Sequence, residues 1–339
     1  MTMADPATMP LIEVDNLGVR LNTSRGPAQA VRGVSFALKR GETLGLVGES
    51  GCGKSVTALS LMGLLPDSAV ITGSIKLDGR ELARLPDADY CSLRGNRISM
   101  IFQEPMTALN PMHTVGHQVA EPLRRHKKYS AAHARREAIA LLDRVGLPDP
   151  ARRIDAYPHQ FSGGQRQRVT IAMALACEPD LLIADEPTTA LDVTIQGQIL
   201  DLIADLVEER GMSMILISHD LGVIAENVQR MMVMYGGTVV ESGPTDEVFR
   251  RMGHPYTQGL FRARPKLGAR KGTRLTTISG TVPELADLPV GCAFGERCPL
   301  VEDKCRVALP PMVEVGPAHV VRCVRTDVSM AANVGALSA

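Results

Sequence analysis

Glycines 48, 51 and 53 lead directly into Lys54 and Ser55 in the run Gly48-Glu49-Ser50-Gly51-Cys52-Gly53-Lys54-Ser55. Glycine at these places lets a backbone curl until successive amide N–H groups converge on one phosphate. An ammonium group at Lys54 would then reach the outer phosphates, and the Ser55 hydroxyl would ligate magnesium. The context suits that chemistry: an apolar run, Leu44 to Val47, precedes the loop, and a helix-like run, Val56 to Leu65, follows it. Further along, the apolar "LLIAD" ends in Asp185 followed at once by Glu186. The end of a strand is where α/β sheets bind ligands. One carboxylate there can hold the metal while the other polarises an attacking water. Between these places lies "FSGGQRQRVTIAMAL", in which Ser162, Gly163, Gly164 and Gln165 open an apolar helix and offer a second anion site.

These residues need a scaffold that brings strand ends to helix starts. Runs rich in Val, Ile and Leu recur between helical segments, at Thr43 to Val47, Ile98 to Phe102, Leu181 to Ala184 and Met214 to Ile217. Such alternation predicts an α/β sheet with much parallel character. Between Arg124 and Arg153 the pattern turns to Ala, Arg and Leu at helical spacing, and Gly146 with Pro148 supplies the stop. The stretch from Arg262 to Arg274 is basic, carries Gly and Pro, and has little that could pack, so it is read as a linker.

The 339 residues hold 37 basic and 37 acidic side chains, so no overall field recommends nucleic acid or an anionic membrane as partner. The first residues lack the cationic and apolar regions of an export signal, and no run approaches the 18 or so apolar residues of a membrane span. A reducing compartment is the expectation, which disfavours a disulfide framework. Cys292, Cys298, Cys305 and Cys323 nonetheless crowd into the last fifth of the chain and call for a metal or cofactor site, or plain burial.

Taken together, these motifs resemble those of the ABC ATPase family. "FSGGQ" matches its LSGGQ-type signature except that Phe161 stands at the usual Leu. Gln103 in "MIFQEP" resembles the Q-loop glutamine, Asp192 in "TALD" the D-loop, and His219 in "ISHD" the switch histidine. The resemblance implies a P-loop NTPase fold: a RecA-like core with an antiparallel β subdomain and an α-helical subdomain. The cassette would span 11–250, with the helical subdomain at about 104–165. By the same likeness Gly48 to Val56 bind ATP, Ser55, Gln103 and Asp185 hold magnesium, and Glu186, Gln103 and His219 serve hydrolysis. Ser162, Gly163, Gly164 and Gln165 would cover the γ-phosphate held by another cassette in a head-to-tail dimer, whose interface Asp192 would cross. One element departs. Where the family stacks adenine on an aromatic residue, this chain offers Leu21 or Val31, which would weaken base contact and leave the phosphate grip.

Past the cassette, "GHPYTQGLF" and "GCAFGERCP" with Cys305 and Cys323 resemble the C-terminal extension of oligopeptide, dipeptide and nickel importer ATPases. That likeness implies a linker at 251–275, a Cys-rich region at 276–328 and a tail at 329–339. Some relatives hold a 4Fe-4S cluster on this cysteine pattern; zinc or buried thiols are the alternatives, and a structural clamp or a redox brake the alternative uses. The implied function is ATP hydrolysis energising import of di- or oligopeptides, from a peripheral position on the cytoplasmic face of the inner membrane. Implied partners are a second and different cassette, two permease subunits and, indirectly, a solute-binding protein, with no nucleic acid. Import of nickel or another small solute is the alternative, and a soluble non-transport ABC ATPase a further one.

Overall fold

The computed structural model describes residues 9–189, 191–263 and 277–326. By its contacts the chain divides into two units. The first gathers 1–11, 38–42 and 84–216; the second gathers 12–37, 43–83 and 217–339. The strands are β1 (Ile12–Thr23), β2 (Gly26–Leu38), β3 (Thr43–Val47), β4 (Val70–Leu77), β5 (Arg80–Glu81) and β6 (Ile98–Ile101). They continue with β7 (Leu181–Asp185), β8 (Ser213–Ser218), β9 (Arg230–Tyr235), β10 (Thr238–Pro244), β11 (Val313–Gly316) and β12 (His319–Val321).

In the second unit, one sheet has the order β2-β1-β4-β5. Its β1–β4 pair is antiparallel with an irregularity between Asp15 and Gly18, where Asn16 takes a positive φ. The extra residue keeps Val14 and Leu17 both buried despite their odd spacing. A second set of strands runs β11-β12-β10-β9-β3. Here β3 pairs in parallel with β9, and the other pairs are antiparallel. Leu44, Leu46 and Val47 have no exposed surface, as expected of a parallel strand covered on both faces. The phosphate loop leaves this strand.

In the first unit β6 and β7 pair in parallel, which brings the residues after Ile101 and the residues after Ala184 to one edge. Helices Val115–His126 and Ala131–Arg144 fill the segment expected to be helical. Each opens on a hydroxyl cap: Thr114 accepts from the His117 N–H and Ser130 from the His133 N–H. Their buried faces are Val115, Val119 and Leu123 on one, Ala134, Ala138 and Leu142 on the other.

Three expectations need correction. The expected linker at 251–275 begins instead as ordered structure: helix Pro255–Arg262 buries Pro255, Tyr256, Thr257 and Gln258. Its polar character hid this, because Gln258 is buried while donating to the Met252 carbonyl at 2.9 Å; residues 264–275 of that linker, residues 276 and 327–328 at the ends of the Cys-rich region, and the tail at 329–339 lie outside the described residues. The helix after the phosphate loop ends at Met62 rather than Leu65, with Gly63 in the left-handed conformation as its cap. Val31 has no exposed surface, which leaves Leu21 as the partly exposed aliphatic candidate for base contact.

Candidate nucleotide site

The loop after β3 has the shape its glycines allow. Gly53 sits at φ 101°, and a Cβ there would fall 2.7 Å from the Ala30 carbonyl oxygen. At Gly48 the same atom would lie 2.3 Å from the Met234 carbonyl oxygen. Both positions exclude any side chain, so the loop can lie flat against β2 and β9. Gly53 is also the N-cap of helix Lys54–Met62, which receives no side-chain cap and has no acidic residue in its first turn. A helix start of this kind, with its dipole uncompensated by any side chain, suits an anion. Lys54 is 5% exposed and donates through Nζ to the carbonyls of Gly48 at 2.7 Å and Glu49 at 3.2 Å. An ammonium folded back over the loop stands where it can meet phosphate oxygens. Burial pushes the neighbouring Cys52 thiol up, against the opposing pull of Lys54, which keeps this cysteine neutral. Ser55 and Val56 continue into the first turn of the helix.

In the first unit, Gln103 and Glu186 meet. Gln103 Nε2 donates to Glu186 Oε2 at 3.1 Å, and the Thr189 hydroxyl donates to the same oxygen at 3.0 Å. Asp185, 4% exposed, ends β7. Glu186 follows at a positive φ of 45°, a rare conformation for a side-chain-bearing residue. Thus two of the residues assigned to hydrolysis, Gln103 and Glu186, touch, and Asp185, assigned to magnesium, is the chain neighbour of Glu186.

The signature segment is a capping box. Ser162 Oγ accepts from the Gln165 N–H at 3.4 Å, and Gln165 Oε1 accepts from the Ser162 N–H at 3.2 Å. Gln165 Oε1 also receives Arg153 at 3.3 Å. The guanidinium of Arg153 lies 4.2 Å from the centroid of the Phe161 ring. Phe161, 4% exposed, therefore anchors the turn where the family has Leu. Gly163 and Gly164 lie in the first turn of helix Gly163–Leu175. Asp192 caps the next helix, accepting from the Ile195 N–H at 3.0 Å. His219 stands exposed just past β8 in the second unit, and Asp220 beside it accepts from the Gly222 N–H at 2.6 Å.

Sequence reasoning missed the support under the phosphate loop. Tyr256 is fully buried, and its hydroxyl accepts the Glu49 N–H at 2.7 Å. It is held by His254, whose Nδ1 accepts from the Tyr256 N–H at 3.1 Å, and His254 is held in turn by Glu241. Glu241, with no exposed surface, accepts from the N–H groups of Gly253 and His254 and pairs with His319 Nε2 at 2.8 Å. Complete burial lowers the pKa of His254 to about 4, against the pull of Glu241, so this imidazole is neutral. The run "GHPYTQGLF" held the signal, but nothing in its spacing pairs it with Glu49.

The four clustered cysteines are gathered by the extension. The Cys292 N–H donates to the Cys305 carbonyl at 2.8 Å. Burial, together with the nearby sulfurs of Cys298, Cys323 and Cys305, pushes the Cys292 thiol up to about 11. Burial also raises Cys298 and Cys323. Main-chain N–H groups point at the sulfurs of Cys298, from Leu300, and Cys323, from Arg325, each at 3.4 Å. Among the described residues, no group of three or more His, Cys, Asp or Glu side chains is set closely enough to hold a metal ion as it stands.

Comparison with known proteins gives matches along nearly the whole chain. Residues 31–189 match the family model for the ABC transporter, and 240–305 match the model for the oligopeptide/dipeptide transporter C-terminal region. A putative peptide import ATP-binding protein of Brucella melitensis is 51% identical over 93% of this chain and 97% of its own. The dipeptide transport ATP-binding protein DppD of Bacillus subtilis is 52% identical over 92% of this chain and 94% of its own. Among solved structures, a dimeric ATP-binding cassette in a post-hydrolysis state with ADP and Pi superposes with a TM-score of 0.62 at 29% identity. It covers 69% of this chain and 98% of the other. A buried lysine folded over a glycine loop, a carboxylate pair ending β7 and a capped SGGQ helix thus occur in a chain alike along nearly its whole length to such proteins, and it belongs to the family of ABC transporter ATP-binding subunits.

Proposed function

We propose that this chain is the ATP-hydrolysing subunit of a membrane importer of di- or oligopeptides. The match of 240–305 to the oligopeptide/dipeptide transporter C-terminal region, beside an ABC match at 31–189, carries that reading. The cassette spans 11–250 and the Cys-rich extension 276–328. Among the described residues no helix is long and apolar enough to cross a membrane. In the importer that this reading implies, the path for peptide belongs to two permease subunits, with this chain peripheral on the cytoplasmic face.

The loop from Gly48 to Val56 wraps the triphosphate of ATP with main-chain N–H groups, and Lys54 neutralises its outer oxygens. Ser55, Asp185 and Gln103 are the residues that would hold magnesium, which would supply charge to offset that of the phosphates. Glu186 accepts the proton of the attacking water, and Gln103, which donates to its carboxylate, orients the pair. His219 contacts the γ-phosphate. Ser162, Gly163, Gly164 and Gln165 of a second, different cassette close over that phosphate, with Asp192 at the shared face. Hydrolysis is thereby confined to the paired state.

A 4Fe-4S cluster, if the extension binds one, would be held by Cys292, Cys298, Cys305 and Cys323, whose side chains would first have to draw together, since among the described residues none are set to hold a metal as they stand. Cys292, Cys298, Cys305 and Cys323 lie within electrostatic reach of one another, and main-chain N–H groups already face two of the sulfurs. Such a cluster would tie the loops of the extension together. Anaerobically purified protein should then carry about four irons per chain; colourless, iron-free, fully folded protein counts against it.

The deciding experiment reconstitutes the chain with its permeases, second cassette and solute-binding protein. Peptide should stimulate hydrolysis. Glu186→Gln should bind MgATP normally and lower turnover on the order of 10²- to 10⁴-fold. Stimulation by nickel or another small solute, with no response to peptide, would replace the peptide reading.

A further inference from the structure

Arg297 sits in the loop of the extension bracketed by Cys292 and Cys298, yet its side chain leaves that loop and ends on the phosphate loop. Its two terminal nitrogens donate to Glu49, NH1 to Oε2 at 2.6 Å and NH2 to Oε1 at 3.1 Å, a two-pronged pair. The same NH1 donates to the Tyr235 hydroxyl at 3.1 Å, and Nε donates to the Ser279 carbonyl at 2.9 Å. The Arg297 side chain is 5% exposed and that of Glu49 28%. Phe294, three residues earlier, lies 5.3 Å from the rings of both Tyr235 and Tyr256. Every polar part of Glu49 is therefore engaged: its carboxylate by Arg297, its N–H by Tyr256, its carbonyl by Lys54.

Glu49 occupies a position of the loop that phosphate chemistry does not require. A free carboxylate there would repel an incoming triphosphate, since like charges close together in a partly desolvated site cost free energy. Pairing with a buried arginine removes that charge and fixes the curve of the loop at its second residue. We propose that Arg297 is a positioning residue of the nucleotide site: by holding and neutralising Glu49, it lets the C-terminal extension set the affinity of the phosphate loop for a triphosphate. This rests on the ATP reading above.

The two partners predict effects of opposite sign. Arg297→Gln leaves a bare carboxylate beside the phosphates and should weaken MgATP binding to the full chain on the order of tenfold. Glu49→Gln leaves an uncompensated guanidinium and should tighten it roughly threefold. The double variant should return to within about twofold of the parent protein. A purely structural pair would instead weaken binding in both single variants, and Glu49→Gln weakening it overturns the proposal, as does a double variant no better than Arg297→Gln. Because Glu49→Gln alone carries the sign, the test holds even if Arg297→Gln does not fold. Lys54→Ala, measured alongside, separates the two readings. If it binds MgATP like the parent, the ATP assignment falls with everything built on it; if it loses binding while Glu49→Gln fails to tighten it, only the role of Arg297 falls.

Discussion

Two helices of this chain start on glycine, and their first turns are wired in opposite ways. At Gly53 no side chain caps the helix, and the loop before it is propped from elsewhere, by Lys54 on its carbonyls and by Tyr256 and Arg297 on Glu49. At Ser162 the segment closes on itself: hydroxyl, amide side chain and two N–H groups form one reciprocal box. The first has no side-chain cap and depends on distant residues for its shape. The second is locally self-sufficient but spends one of its N-terminal donors on its own cap. Under the proposed function, a loop that holds a polyanion before pairing benefits from a helix start without a side-chain cap, and a helix that completes another cassette's site must keep its shape while it has no phosphate to hold.

Acid gives the largest expected separation between the two. His254 caps the helix that carries Tyr256, and its folded pKa is lowered to about 4 from 6.5. Between those values the unfolded chain binds a proton that the folded chain refuses. Stability is therefore complete above pH 6.5 and is lost as pH falls toward 4, by up to about 3 kcal/mol. Denaturant titrations from pH 7 to 4 should show this loss, and hydrogen exchange should show it first in the segment around Tyr256 and Glu49, with the 162–165 turn protected for longer. His254→Asn, which keeps an acceptor but does not titrate, should flatten the curve. An unchanged slope in that variant would mean that other groups govern the acid response.

Next comes the ammonium. Lys54→Ala removes the ammonium that the proposed function places on phosphate and should weaken MgATP binding about 10- to 100-fold. Gln165→Ala, which opens one arm of the box, should leave binding to the isolated full chain unchanged. Its effect should appear only as slower hydrolysis in the paired state. Equal loss of affinity in both variants would erase the distinction between an open and a self-closed helix start.

Sequence carried the two helix starts well because each is written in consecutive residues. β3 matched its expected bounds, since an apolar run there is flanked by Gly41 and Gly48, and the SGGQ helix starts where its capping residues stand. What could not be read was whatever joins distant segments. Arg297 and Glu49 are 248 positions apart, and neither spacing nor composition links an arginine among cysteines to a loop glutamate. The helix Pro255–Arg262 was mistaken for the start of a linker for a related reason. Its buried positions include Thr257 and Gln258, polar residues that only a specific tertiary setting makes tolerable. Val31 looked like a base-contacting candidate by position along the chain, but the side to which a strand residue points depends on sheet register, and here it points inward.

The smallest effect makes the finest distinction. Ser162 has two separable jobs under this reading: its hydroxyl caps its own helix, and its position covers a phosphate held by the partner cassette. Ser162→Ala loses the acceptor for the Gln165 N–H, but Gln165 still accepts from the Ser162 N–H and from Arg153, so the fold should lose only about 1 kcal/mol. Ser162→Asp is the sharper variant. Aspartate caps a helix as well as serine does, so the melting temperature should match the parent protein. A carboxylate facing a triphosphate should nonetheless impair closure of the pair and depress hydrolysis below that of Ser162→Ala. If instead the two variants rank in activity as they rank in stability, Ser162 acts through its own helix alone, and the second glycine-led start is a structural element rather than half of a nucleotide site.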